Sequence, residues 1–306
     1  MALSGIEIYK FLPKTNCKKC GFPTCLAFAM KVSQKTVDIS KCPDLSAQGR
    51  AALEAAGRPP IQLVTIGSDS RKLEVGNETV LFRHEKTFFH PPGLMVRIKD
   101  TDSAEAAAKL AGEVSGYAVE RVGRNLTLDG FAIDNQSKNA AAFAKCVEAV
   151  RAKTDWPLVL MSADPAAMAA ALEKVASSKP LIYAANKDNW AQMAELAKKH
   201  SCPLAVVERD SLDGLAGLVE QVTGAGIDNV VLDPGTNHFG KSLQVLTQIR
   251  RLALKKSFRS LGYPVITFPG EGTASPEEEA VLAAQHVAKY GGVIVLNHFA
   301  PATVYP

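Results

Sequence analysis

From residue 94 onward, eight short apolar runs alternate with stretches at helical period, a rhythm that few architectures accommodate. The runs cover residues 94–98, 128–133, 158–161, 181–183, 204–207, 230–232, 265–268 and 293–296, and seven helical stretches separate them. Runs such as Val293-Ile-Val-Leu are apolar throughout, which suits a strand covered on both faces. Ser275-Pro276-Glu277 reads as a helix start, with a serine cap, a proline in the first turn and an acid facing the helix dipole. Eight alternations predict an α/β protein built on a (β/α)8 barrel over residues 93–306. A doubly wound open sheet is the alternative, but no glycine-rich fingerprint follows the first run. An eighth helix is expected after Leu296. The chain reaches Pro306 after a short polar stretch, so these 306 residues read as the front part of a longer polypeptide.

Residues 1–57 are of a different kind. Cys17-Lys-Lys-Cys20-Gly-Phe-Pro-Thr-Cys25 gathers three thiols within nine residues, and Cys42-Pro43 adds a fourth. Thiolates are soft ligands, and four of them on a loop-rich segment suit a metal centre. The spacing departs from the paired CxxC motifs of most structural zinc sites and is closer to iron–sulfur usage, so Cys17, Cys20, Cys25 and Cys42 are the expected ligands of a [4Fe–4S] cluster. Zinc, or free or disulfide-bonded thiols, remain the alternatives. Gly21 allows a tight turn, Pro23 fixes the backbone ahead of the third thiol, and Lys14, Lys18, Lys19 and Lys41 can offset negative charge. The small unit is expected to close with a helix over 46–56 and the breaker Gly57-Arg-Pro-Pro. Between the two units, residues 58–92 read as linker and hairpin, with β-type runs at 61–66, 72–75 and 79–82.

A net charge of +4 is too small to point to nucleic acid, and no run of eighteen apolar residues suggests a membrane span. The N-terminus carries no secretory pattern, so a reducing cytoplasm is the expected compartment. Cys146 and Cys202 sit in apolar patterns and read as core thiols. Arg250, Arg251, Lys255, Lys256 and Arg259 predict a helix with a basic outer side.

In such barrels the active face is formed by the loops after the strands. Asp134, Asn135, Asn186, Asp233 and Asn297 lie closest to the predicted strand ends and are the candidate binding residues of the mouth, although such residues often only cap the next helix. His84 and His90 lack zinc spacing, and His238 and His298 have no nucleophile near them in sequence. No self-contained catalytic set is apparent, so no catalytic residue is assigned.

The thiol segment Asn16-Cys17-Lys-Lys-Cys20-Gly-Phe-Pro-Thr-Cys25 with Lys41-Cys42-Pro43, followed by a hairpin and barrel, resembles the large (gamma) subunits of the corrinoid iron–sulfur protein of the acetyl-CoA decarbonylase/synthase complex. Asp233-Pro-Gly is reminiscent of pterin-binding methyltransferase barrels. The resemblance implies a [4Fe–4S] cluster on the four cysteines and, in the full-length protein, a corrinoid held by a domain beyond residue 306. It implies a methyl carrier of the anaerobic acetyl-CoA pathway. The cobalt accepts a methyl group from methyltetrahydrofolate through a methyltransferase and delivers it to acetyl-CoA synthase, while the cluster reduces Co(II) back to Co(I). The implied partners are the small subunit in a heterodimer, the methyltransferase, acetyl-CoA synthase, and a reductive activator or ferredoxin. Neither nucleic acid nor membrane is an expected partner. Two other readings stay open: a barrel methyltransferase that binds a methylated pterin directly, and an electron-transfer subunit.

Overall fold

The protein is described here by a computed structural model covering residues 4–34, 36–47, 49–50, 53, 59–68, 71–85, 90–235 and 237–306. It divides into two compact units, residues 1–60 and 61–306.

In the first unit, α1 (Gly5–Phe11) begins at a capping box. Ser4 Oγ accepts from the Glu7 amide, and the Glu7 carboxylate accepts from the Ser4 amide at 2.8 Å. Helix α2 (Cys25–Ser33) begins at Thr24, whose hydroxyl accepts from the Ala27 amide. The two helices pack together, with Gly5 lying close against Met30. Ile8, Leu12, Phe28, Ala29, Leu45 and Leu53 form a small core shared with Cys25 and Cys42. Most of the helix expected over 46–56 lies outside the described residues, as do Gly57 and Arg58; Ala47, Gly49, Arg50 and Leu53 are helical.

The second unit opens with an antiparallel hairpin, β1 (Val64–Ser68) and β2 (Arg71–Val75). The barrel follows as β3 (Gly93–Lys99), α3 (Ala104–Gly116), a small hairpin β4 (Val119–Arg121) and β5 (Arg124–Leu126), and β6 (Gly130–Asp134). It continues as α4 (Ala140–Arg151), β7 (Leu158–Met161), α5 (Pro165–Val175), β8 (Leu181–Ala185), α6 (Trp190–His200), β9 (Leu204–Val207) and α7 (Leu212–Gly224). It ends with β10 (Val230–Asp233), α8 (Phe239–Lys255), β11 (Val265–Thr267), α9 (Pro276–Ala288), β12 (Gly291–Leu296) and the four-residue turn α10 (Pro301–Val304). All eight predicted runs are strands, and they close in the order β3-β6-β7-β8-β9-β10-β11-β12, with β12 pairing in parallel with β3. The (β/α)8 barrel read from the alternation is therefore present.

Alternate strand residues divide between two cores. Val96, Ile98, Phe131, Ile133, Leu158 and Leu160 pack outward with helix residues such as Phe143 and Met168. Met95, Ala132, Val159, Leu181, Ala205, Val231, Ile266 and Val293 share an inner cluster with Val64, Ile66, Leu73 and Val75. The hairpin therefore plugs the barrel. It does so at the end where the strands begin, because the Gly67 amide donates to the carbonyl of Lys179, two residues before β8. Truncating a fully buried plug residue, Ile66→Ala, should cost about 2–5 kcal/mol, measured by chemical denaturation.

Two details depart from the sequence reading. Residues 79–82 are not a strand, because this segment serves two buried arginines. Arg250 Nε donates to the Val80 carbonyl at 2.9 Å, and the Glu78 carboxylate takes both Arg250 and Arg83. Arg250 therefore does not belong to a basic outer face; its side chain is 2% exposed, stacked 4.8 Å over the Tyr290 ring. The other departure is the hairpin β4–β5, which the sequence reading passed over.

His286 on α9 is completely buried, and neither ring nitrogen has a partner among the described residues. Burial pushes its pKa down to about 4 from an ordinary 6.5. The folded state thus resists protonation, so stability is full above about pH 6.5 and falls as the pH drops toward 4. In His286→Leu, that part of the pH dependence of thermal unfolding should disappear.

Candidate metal centre and barrel mouth

The thiol segment of the first unit is shaped by unusual backbone. Asn16, Lys18 and Gly21 all have positive φ, and the Gly21 amide donates to the Lys18 carbonyl at 2.9 Å, closing a turn between Cys17 and Cys20. Only Gly21 adopts this region without cost. Asn16 is held there by its side chain: Oδ1 accepts from the Cys25 amide at 2.8 Å, tying the first and third thiols together. Cys25 is the first residue of α2, at the end where amides and dipole favour negative charge. Cys42 follows a 3₁₀ turn, 39–41, and its amide donates to Ile39.

Cys25 and Cys42 are buried, whereas Cys17 and Cys20 are half-exposed. Burial raises the Cys42 thiol above its ordinary range, and the neighbouring Cys20, Cys25 and Cys17 push in the same direction. With the other three thiols all acting on Cys42, the four form a soft donor set that a cationic centre would relieve. This is the respect in which the residues present fit an iron–sulfur cluster. Among the described residues, no three His, Cys, Asp or Glu side chains gather closely enough for a single metal ion. Lys19 is spent on Asp44 at 3.0 Å.

In the second unit, the mouth residues separate into distinct roles. Asp233, wholly buried, accepts from the Tyr183 hydroxyl at 2.6 Å and from Arg209 at 2.9 Å. Asp134 lies 3.8 Å from Arg97 Nε, and Arg97 also donates to Glu271 at 2.9 Å. Glu271 reaches Arg209 as well, at 3.6 Å, so one carboxylate links the two arginines and, through them, Asp134 and Asp233. Burial raises the Asp134 pKa, with Arg97 working against it. Burial and then Asp233 hold the Tyr183 phenol well above its usual range. Burial opposes the Arg209 charge, but Asp233, Tyr183 and Glu271 outweigh it and raise its pKa.

Asn135 and Asn186 do not join this network. Asn135 donates to Ser162 Oγ, and Asn186 Oδ1 accepts from the amides of Asp188 and Asn189, a local turn ahead of α6. The Asn297 amide donates to the buried Glu279, which also holds His298 Nδ1 at 2.7 Å. Arg97 and Tyr183 were missed as candidates. The signal for Arg97 was present, a single cation inside the apolar run Leu94-Met-Val-Arg-Ile. Arg209, Asp233, Gly235, Asn237, Phe268 and Glu271 line a solvent-open recess of about 150 Å³ with no enclosed room for even a water molecule.

Over residues 63–306 the chain matches the family described as CO dehydrogenase/acetyl-CoA synthase delta subunit, and over 12–43 one described as putative Fe-S cluster. It is 42% identical over 306 residues to the corrinoid/iron-sulfur protein large subunit of Moorella thermoacetica, covering all of this chain and 68% of that protein. The chain belongs to this family. Within it, subunit gamma 1 of the acetyl-CoA decarbonylase/synthase complex of Methanosarcina mazei is 36% identical over 320 residues, 99% of this chain and 68% of that one. The gamma subunit from Methanothermobacter thermautotrophicus is 34% identical, covering 97% and 67%. The family model carries the delta name, while these relatives, matched across nearly the whole chain, are gamma or large subunits.

Among solved structures, dihydropteroate synthases share the fold. The Xanthomonas albilineans enzyme, solved with 4-aminobenzoic acid, has a TM-score of 0.50 at 18% identity, covering 80% of this chain and 96% of that one. The Thermus thermophilus enzyme has a TM-score of 0.50 at 18% identity, covering 76% and 93%. No described helix is long and apolar enough to cross a membrane.

Proposed function

We propose that the chain serves a methyl-carrier subunit of the anaerobic acetyl-CoA pathway and that Cys17, Cys20, Cys25 and Cys42 hold a [4Fe–4S] cluster in it. The observation that carries this reading is the presence of four free thiols in the segment that matches an iron–sulfur family, on a chain 42% identical to a corrinoid/iron-sulfur protein large subunit. When bound, the cluster would supply one-electron reduction, the chemistry needed to return an oxidised corrinoid cobalt to its nucleophilic state. The chain's own residues do the holding. Asn16 fixes the thiol loop to the start of α2, Cys25 and Cys42 anchor the buried side, and Cys17 and Cys20 form the edge nearer solvent.

The same kinship supports a cytoplasmic setting and a set of partners: the small subunit, a methyltetrahydrofolate-dependent methyltransferase, acetyl-CoA synthase, and a reductive activator or ferredoxin. A corrinoid is expected in the full-length protein, and no corrinoid ligand is assigned within residues 1–306.

Among the described residues, the mouth does not favour a barrel that binds a methylated pterin itself. Asp134 and Asp233 are engaged by Arg97, Arg209 and Tyr183. Calorimetric titration with methyltetrahydrofolate tests the choice. The carrier reading predicts no saturable heat at millimolar ligand, and tight one-to-one binding would overturn it in favour of the pterin enzyme.

A further inference from the structure

Several backbone amides beside the four thiols are spent on oxygen. The Gly21 amide donates to the Lys18 carbonyl at 2.9 Å, and the Cys42 amide donates to the Ile39 carbonyl at 3.1 Å. At the start of α2 the Ala27 amide donates to Thr24 Oγ1 at 3.1 Å, and the Cys25 amide donates to Asn16 Oδ1 at 2.8 Å. The Asp44 amide behaves differently, since it hydrogen-bonds the Cys42 sulfur. Amides of this segment can therefore reach sulfur, and the Cys25 amide is held back from doing so by a side chain.

Asn16 reaches that amide across nine residues, from a backbone φ of 49°. An ordinary side chain adopts this left-handed region at a cost, asparagine at less cost than most. Thr24 already caps α2. The amide of the first helical residue has no partner inside the helix and is ordinarily left to solvent or to an anionic group bound there. Asn16 takes it instead, and its carbonyl brings the negative end of an amide dipole to the first residue of α2, against the field of the helix.

We propose that Asn16 is a positioning residue that keeps the reduction potential of the cluster low by engaging the Cys25 amide. The inference rests on the cluster reading above and adds to it a residue that is not a ligand. A hydrogen bond donated to sulfur favours the more negative, reduced state and so raises the potential. An amide that donates to oxygen gives no such help. The equilibrium concerned is the gain or loss of one electron by the cluster, with no bond made or broken. A low potential suits the proposed task, since a centre that reduces an oxidised corrinoid cobalt must be the stronger reductant of the two.

The test uses the whole chain, purified without oxygen and titrated with titanium(III) citrate as reductant. The reduced cluster is followed by electron paramagnetic resonance, and iron is measured on the same samples. Asn16→Gly removes the acceptor and suits the left-handed backbone. It should keep its iron and favour the reduced state about tenfold at a fixed solution potential, a rise of about 59 mV for a one-electron couple. Asn16→Asp keeps an acceptor and tolerates the same φ, so its potential should be no higher than that of the wild type. A merely structural role would change iron content without the potential, or would move both variants alike. An unchanged potential in Asn16→Gly at full iron content would overturn the proposal, as would an equal rise in Asn16→Asp. Loss of iron from Asn16→Gly would overturn it too, assigning Asn16 to cluster assembly alone. Wild-type protein without iron would instead overturn the cluster reading on which the proposal rests.

Discussion

Replacing Glu78 with alanine should destabilise the barrel unit by about 3–5 kcal/mol, because it removes the carboxylate shared by two buried guanidinium groups. Arg83 and Arg250 are 4% and 2% exposed at their side chains, and each would face the other's charge without the carboxylate between them. Burial alone would raise the Glu78 pKa, but Arg83 and then Arg250 overcome it and hold the carboxyl below its ordinary value. The sign of the pH effect follows. A depressed carboxylate stabilises the fold above its unfolded pKa, near 4.5, and the contribution is lost as pH falls through the lower folded value. Urea unfolding of the wild type should weaken on acidification below about pH 4.5, and Glu78→Ala should be weaker at neutral pH with a flatter acid limb. An unchanged midpoint in the variant would mean the pair is dispensable.

Replacing Cys20 with serine should remove or convert the iron centre while leaving the barrel folded. A serine oxygen is a harder and poorer ligand for iron than a thiolate. The two units have separate cores, since Ile8, Leu12, Phe28 and their neighbours form a cluster distinct from both barrel clusters. The expected outcome is loss of most iron per chain with far-ultraviolet circular dichroism largely preserved. Collapse of the helical signal across the whole protein would show that the units fold as one.

The barrel was readable from sequence because its strands are buried on both faces and so print as unbroken apolar runs such as Val293-Ile-Val-Leu. The thiols were readable because spacing and ligand type are local properties. The mouth was only half readable. Asp134 and Asp233 stood out at strand ends, but nothing local says that Arg97, on β3, and Arg209, after β9, converge on Glu271 from opposite sides of a closed sheet. Asn186 illustrates the converse, a polar residue in the right place whose side chain closes its own turn. Segment 78–83 misled for a related reason. Thr79-Val-Leu-Phe has strand composition, yet Val80 and Glu78 serve arginines about 170 residues away in sequence and on the same segment.

The central claim is that four thiols of the N-terminal unit hold a tetranuclear iron–sulfur cluster. Protein purified without oxygen from cells grown on ⁵⁷Fe, analysed for iron and acid-labile sulfide and by Mössbauer spectroscopy, tests it most directly. The account predicts about four irons and four sulfides per chain, with the spectrum of a delocalised [4Fe–4S] centre. Stoichiometric zinc, or a chain free of both iron and sulfide, would contradict it.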